Sequence, residues 1–496
     1  MIMLFPKEKT LLLLSSALII LLCTSVSVLS VGSGILTIQN TGTITTHTEY
    51  PSSTFTYRIF QNSTSKYRIN SMGSVDDDNA NFAIMLNNAL SNCSALGGGS
   101  IYVYPDNYVT DRSIGFAYYA SGYSNVYLQF GPATNITRTS GTGSGDYIFQ
   151  LHSYGTTTNF TLTSNGTVTF NAANYCDGFD LNGQLNSTFS NMTIEHLKGN
   201  GMQIAQSRYC HYENITVFSP HETTASGWII MLGDVQYSTF KHLNLDGNNQ
   251  GLTEGFYFGD WYGSTYWNGT CFNSISDVWV HNMIRNGFYL NSGGTGFGVY
   301  NNTFTNCTAE NNAQNGYFGI KLRPAQNNTF TNIIIKNMTG GVTTGTSYDD
   351  GETPGNCTGN FVQATCYNIR NQPFTLTTDG NDQSVDHNFF NLTFSGGPGT
   401  YFNSGENSPI HDNTAYLNFT DTSWGIYLEE GYMSQNTFYL NFTRCGSGGH
   451  TDIWHYSTWT NITNNTFNVY ATSGNPKSLY DFTNGTQGNI VVYPYS

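Results

Sequence analysis

The chain repeats one arrangement of polar and apolar positions. A short polar run leads into an aromatic or aliphatic residue, as in "NNTFTNCTAENNAQNGYFGIKL" from 301 and "NNTFTNIIIKNMTGG" from 327. Taken as an anchor, that residue recurs at Phe189, Tyr212, Phe240, Ile275, Phe304, Phe330, Phe361, Phe389, Tyr416, Tyr439, Phe467 and Ile490, at spacings of 23 to 35. A period in this range marks stacked supersecondary units, here twelve coils. Two positions after the anchor the column is polar and mostly Asn (Asn191, Asn214, His242, Asp277, Asn306, Asn332, Gln363, Asn391, Asn418, Asn441). Three and five positions after it the columns are mostly apolar, as at Met192 and Ile194 or Ile333 and Ile335. A strand alternates with period two, so apolar residues at offsets 0, 3 and 5 require a bend, and Asn occupies it. Asn tolerates the left-handed backbone, and its amide both donates and accepts along a stack.

A second strand in each coil is marked by Gly followed by aromatic and aliphatic residues: "GFDL" at 178, "GFYF" at 255, "GFYL" at 287, "GYFGIKL" at 316 and "GIYL" at 425. The residue between the two inward positions is expected to face solvent. This gives a strip of Asp180, Gln203, Tyr257, Tyr289, Phe318, Tyr427, Trp454 and Tyr480. Leucine-rich repeats share the period, but they need a Leu framework that this chain lacks. The expected fold is all-β, a single parallel β-solenoid over residues 133–496.

Before the repeats, "GSVDDDNANFAIMLNNALSNCSALGGGSIYVYPDNY" at 73–108 predicts an amphipathic helix over 79–96 with an acidic start. Its apolar face carries Phe82, Leu86, Ala89, Leu90 and Cys93, and a strand follows that stops at Pro105. Gly73, Asp77, Asp78, Ala89, the glycines 97–99, Val103, Pro105 and Tyr108 resemble the opening of pectin-lyase-like proteins. That resemblance implies a right-handed parallel β-helix plugged by the helix, with residues 70–132 as the cap. It leaves the reaction open, since the superfamily holds lyases, hydrolases, epimerases and non-catalytic fibres.

Residues 1–32 carry Lys7 and Lys9, then an apolar run from Leu11 to Val31. This is an export signal, either a cleaved signal peptide or a retained membrane anchor. Residues 33–69 lack a clear period and are read as a stalk or N-terminal strand region. Localisation is then extracellular or at the cell surface. Only 10% of residues are charged and the net charge is −15, which argues against nucleic acid and anionic membranes as partners. A polysaccharide or cell-surface glycan remains as the partner. Eight cysteines lie beyond Cys23, so disulfides are plausible outside the cell, although Cys307 and Cys366 fall in inward columns.

Flat rings outside a core are surfaces for sugar stacking, which makes Tyr257, Trp261, Tyr289, Phe318, Tyr427 and Trp454 the carbohydrate-binding candidates. "NYCDGFD" at 174–180 is similar to the "NTDG" segment of polygalacturonase-like hydrolases, with Asp177 in the position of a catalytic Asp and Asp180 beside it. The next coil supplies no acid, a departure from the inverting pattern. A lyase of this superfamily would use carboxylates holding Ca²⁺ and a basic side chain. The nearest set is Asp260 with Lys321 and Arg323, beside "DWYGSTYW" at 260–267. No other cofactor is implied. A second outward column, Asp246, His281, Glu310 and Lys336, reads as a surface ion ladder.

Twenty N-x-S/T sequons occur. Asn186, Asn301, Asn327 and Asn464 stand just before anchors, on expected exposed turns, and are the predicted glycan acceptors. Asn191, Asn214, Asn306, Asn391, Asn418 and Asn441 fall in the bend column and are expected to carry none. The reading is an exported, glycosylated surface β-helix that binds, and in one form cleaves or epimerises, polysaccharide. Its rival is a non-catalytic structural or adhesive surface protein.

Overall fold

The computed structural model describes residues 55–62, 65–70, 75–116, 122–141, 143–218, 226–249, 252–259, 269–292, 298–311, 317–346, 355–378, 384–404, 409–423, 425–428, 431–445, 453–455, 461–471 and 487–492. The predicted export segment, residues 1–32, and Asp260, Trp261 and Tyr480 lie outside them. Among the described residues no helix is long and apolar enough to cross a membrane.

Among the described residues, parallel coils stack in register into a β-solenoid with one sheet of thirteen strands and a larger one of thirty. Of the segment read as a stalk or N-terminal strand region, the described part makes antiparallel strands, Tyr57–Asn62 and Ser65–Asn70, and the first of these runs parallel to Gly99–Val103. The acidic run at 76–78 lies in the strand Val75–Asn79 and does not start the helix. The helix is Phe82–Ala95, and Asn81 caps it by accepting from the backbone N–H of Ala83 at 3.0 Å and Ile84 at 3.4 Å. The expected helical face, Phe82, Leu86, Ala89, Leu90 and Cys93, is fully buried.

In the coils from Asn191 to Asn332 the bend exists as the offsets require. Asn191, Asn214, His242, Asp277, Asn306 and Asn332 all take φ of 53–59°. Their side chains link, with Asn332 Nδ2 donating to Asn306 Oδ1 at 2.7 Å and Asn214 to Asn191 at 3.1 Å. After Asn332 the bend is gone. The register between Thr329–Lys336 and Phe361–Tyr367 slips by one residue, so that two residues on the first strand face one on the second. From there Phe361–Tyr367, Phe389–Ser395, Thr414–Thr420 and Thr437–Thr443 alternate strictly. Their inward residues are Val362, Phe390, Ala415 and Phe438. The anchors assigned at Phe361, Phe389, Tyr416 and Tyr439 therefore point outward, and Gln363, Asn391, Asn418 and Asn441 are ordinary strand residues. The pleat decides this: removing one residue restores period two across the former bend.

A different asparagine column carries the interior. Asn273, Asn302, Asn328, Asn360, Asn388, Asn413, Asn436 and Asn465 are all buried. The backbone N–H and side-chain amide of each donate to the Oδ1 of the next, at 2.8–3.1 Å. A second bond from each side-chain amide closes on a backbone carbonyl, as from Asn388 to Cys357 O at 2.8 Å. One residue earlier the chain turns through left-handed backbone in every coil from Asn159 to Asn464, with φ of 50–66°. The glycine opening the thirteen-stranded segment also has a steric reason. A Cβ on Gly287 would stand 2.7 Å from Ala309 Cβ and from Gly319 O.

The eight described cysteines are free and buried, which corrects the expectation of disulfides. They behave as small core hydrophobes, and burial pushes the Cys307 and Cys357 thiols up to about 12. The ladder Asp246, His281, Glu310, Lys336 forms on successive coils, with Lys336 Nζ 3.0 Å from Glu310 Oε2.

Candidate functional site

The outward column of the thirteen-stranded sheet runs Gln150, Asp180, Gln203, Met231, Tyr257, Tyr289, Lys321, Thr343, Thr375, Tyr401, Tyr427, and the backbone of Trp454 pairs next to Tyr427. Phe318 is not in it. The aligned glycine of "GYFGIKL" is Gly319, where a Cβ would strike Ile335, so the outward place falls to Lys321. Nor is the column a solvent-facing strip. Tyr257 and Tyr289 are only 6% and 5% exposed, and they pack with Met231 and Trp228 in a small cluster separate from the core. Their rings meet edge to face at 5.2 Å, Asn291 Nδ2 donates to the Tyr257 hydroxyl at 3.2 Å, and Lys321 Nζ lies 4.7 Å over the Tyr289 ring. Further along, Tyr427 is half-buried and stacks on Tyr401 at 5.5 Å.

The acid candidates are enclosed. Asp177 is fully buried, and its Oδ2 accepts from Gly145 N at 3.1 Å and from Asn200 Nδ2 at 3.4 Å. Burial raises its pKa to about 6, against the hydrogen bonds it accepts. Asp180 is buried too and accepts from Gln150 Nε2 at 3.1 Å. Arg323 is buried in the neighbouring outward column, and its backbone N–H donates to Leu290 O. Sequence reasoning missed Glu254, which sits just before Gly255. Glu254 is buried and accepts from Asn286 N and Nδ2 at 3.0 Å each, with Arg285 Nη1 at 3.4 Å. Burial raises its pKa; the Asn286 backbone hydrogen bond and the charges of Lys321 and Arg285 oppose that. Among the described residues no three His, Cys, Asp or Glu side chains converge as a metal site. Of the lyase set only Lys321 and Arg323 are among the described residues, and Asp177 and Asp180 of the hydrolase reading are both buried.

Asp177 gives a stability signature. Its folded pKa, about 6, stands above its ordinary 3.8, so its stabilising contribution is complete below about pH 4 and is lost as pH rises toward 6. Two units correspond to about 2–3 kcal/mol. Asp177→Asn keeps an acceptor for Gly145 and should flatten this loss, so urea midpoints of variant and parent should diverge between pH 4.5 and 7.

An open concavity of about 660 Å³ lies elsewhere, on the larger sheet, lined by Phe389, Asn391, Tyr416, Asn418, Tyr439, Leu440, Asn441 and Tyr470. It exists because the C-terminal coils have lost the bend: residues i and i+2 of each strand share the outer face. Tyr416 and Tyr439 stack at 4.3 Å and 4°, Phe389 meets Tyr416 at 5.5 Å, and Phe361 stacks on Phe389 at 5.1 Å. Tyr416 and Tyr470 are 39% and 47% exposed. Aromatic rings and primary amides alternate along the floor, which suits the apolar faces and hydroxyls of a sugar chain. The signal in the sequence is "TAYLNFT", where Ala415, Leu417 and Phe419 fit offsets 0, 2 and 4. This placement also removes the reason for excluding glycans from Asn391, Asn418 and Asn441. The predicted acceptors Asn186, Asn327 and Asn464 are exposed on left-handed turns, and Asn301 is half-exposed on one.

No protein-family model matches the chain, and no curated protein matches it in sequence. Among solved structures it is similar to the catalytic domain of a GH87 alpha-1,3-glucanase in complex with nigerose, at 15% identity and a TM-score of 0.51, over 77% of this chain and 67% of that one. It is also similar to the tailspike protein of E. coli bacteriophage HK620 in complex with a pentasaccharide, at 12% identity and 0.49, over 84% and 75%. A third is the Streptococcus pneumoniae surface protein and adhesin PfbA, at 13% identity and 0.42, over 78% and 96%. The likeness to the glucanase domain shows the fold, and the resemblance carried by residues 73–108 holds as far as the parallel solenoid.

Proposed function

We propose that this chain is an exported, glycosylated surface protein that binds polysaccharide in the aromatic concavity of its C-terminal coils. The observation that carries the reading is that concavity, with four rings and three asparagine amides on one open face. The glucanase domain that shares the fold is in complex with nigerose, which supports a saccharide ligand. Low charge supports a neutral or cationic glycan over a strongly anionic one. Binding without cleavage is the form proposed. Asp177 is sealed from solvent, and Lys321 is committed to the Tyr289 ring.

The test is titration of the full exported chain with neutral and uronate-containing oligosaccharides, followed by calorimetry. Tyr439→Ala should weaken binding about three- to tenfold, the worth of one ring stack. Tyr289→Phe, on the other sheet, should leave it unchanged. Binding lost in Tyr289→Phe but kept in Tyr439→Ala would move the site to the thirteen-stranded face. New reducing ends or unsaturated products would establish an enzyme instead.

A further inference from the structure

The left-handed turn that precedes each inward asparagine or its equivalent is filled by Asn, Asp, His, Gln or Gly in most coils. In three successive coils it holds Tyr209, Tyr237 and Phe272, at φ of 57°, 50° and 57°. That conformation is unfavourable for a bulky side chain and persists only where something over-determines it. All three rings are also exposed, by 49%, 45% and 42%, so core packing is not the reason. They stack on one another, Tyr209 on Tyr237 at 5.3 Å and 16°, Tyr237 on Phe272 at 4.9 Å and 3°. Tyr300 meets Phe272 edge to face at 5.6 Å. Among the described residues no ring stacks on the other face of Tyr209, the one toward the preceding coil. The pairing of Leu185 with Arg208 and of Arg208 with Gln236 puts Asn186 in that place, one coil below Tyr209. Asn186 is exposed, left-handed at φ 51°, and opens the sequon Asn186-Ser187-Thr188.

We propose that the glycan carried by Asn186 packs its first sugar ring on the face of Tyr209 toward the preceding coil, and that the three-ring stack is the platform for it. The proposal rests on the glycosylation part of the reading above. Attachment joins Asn186 Nδ2 to C1 of the sugar. One amide proton leaves, and the phosphate of a lipid-linked glycosyl donor departs as the leaving group during export. The C–H face of the sugar then lies against the Tyr209 ring, whose edges are held by the stack behind it. Asn301, on the coil after Phe272, is the internal control, because Tyr300 already occupies the Phe272 ring.

The full chain is produced in a glycosylating host, and occupancy at Asn186 and Asn301 is read by glycopeptide mass spectrometry. The carbon-13-labelled first sugar is then observed by NMR in the intact protein. Its ring protons on Asn186 should move upfield through the ring current, keep that shift in Tyr209→Phe and lose it in Tyr209→Asn. The asparagine variant suits the left-handed turn, so the fold is retained. Release of the Asn186 glycan by an amidase should become about three- to tenfold faster in Tyr209→Asn, with Asn301 unchanged. An unoccupied Asn186 overturns this proposal and the glycosylation reading at that site together. An occupied Asn186 with unshifted sugar signals overturns the proposal alone.

Discussion

Replacing Asn388 by Ala should cost about 3–5 kcal/mol, among the largest effects expected of any single substitution in the chain. The Asn360 backbone and side-chain amides donate to Asn388 Oδ1 at 2.9 Å, and Asn388 Nδ2 donates to Asn413 Oδ1 and to Cys357 O. Alanine strands the Asn360 N–H and weakens the supply to the Cys357 carbonyl, both away from water, and each loss is worth about 1–3 kcal/mol. Asn388→Asp separates the two roles. It keeps an acceptor for Asn360 but faces Asn413 Oδ1 and Cys357 O with oxygen, so it should be at least as damaging. Coils contact only their neighbours, so the effect should be local. Hydrogen exchange at the amides of Asn360 and Asn413 should accelerate well before that of coils near Phe189. Uniform acceleration along the chain would contradict the ladder as a chain of local bonds.

The second large effect separates two residues to which spacing alone assigns the same place in the repeat. Phe304 is fully buried, stacked on Phe330 at 4.1 Å and in edge contact with Phe258 and Phe288. Phe304→Ala should cost about 3–5 kcal/mol. Tyr416→Ala, at the equivalent anchor by spacing, should cost under about 1 kcal/mol, since its ring stands outside the core. Urea midpoints of the two variants at one pH decide it, and equal losses would restore Tyr416 to the interior.

That contrast shows what the sequence makes legible. The solenoid, its period, the helical cap and the bends from Asn191 to Asn332 are all carried by spacing, because each is a local consequence of the pleat. Beyond Asn332 the spacing is ambiguous: in "NFFNLTF" either Phe389 or Phe390 can be the inward residue, and only the slip of one position in the preceding coil chooses. The buried ladder was hidden for another reason. Asn302 and Asn328 read as surface residues by polarity, and only stacking supplies each amide with the partners that let it go inside. Tyr257 and Tyr289 mark a third limit. Alternation tells from which side of a sheet a ring leaves, and says nothing of whether that side is covered. The candidate acids suffered likewise: Asp177 and Glu254 differ from a solvent-facing carboxylate only through what surrounds them in space.

The lost bend after Asn332 bears on how such a surface changes over time. Loss of the one bend residue keeps Phe330 paired with Val362 and Ile333 with Ala364, so the inward row is undisturbed while the outer face becomes continuous, a change that substitution alone would not make. Coil length is therefore the coarse dial of this scaffold and side-chain identity the fine one. The outer face is flattened while the core row from Phe330 through Val362, Phe390 and Ala415 runs on beneath it, and the rings of Phe389, Tyr416 and Tyr439 stand on that flattened stretch.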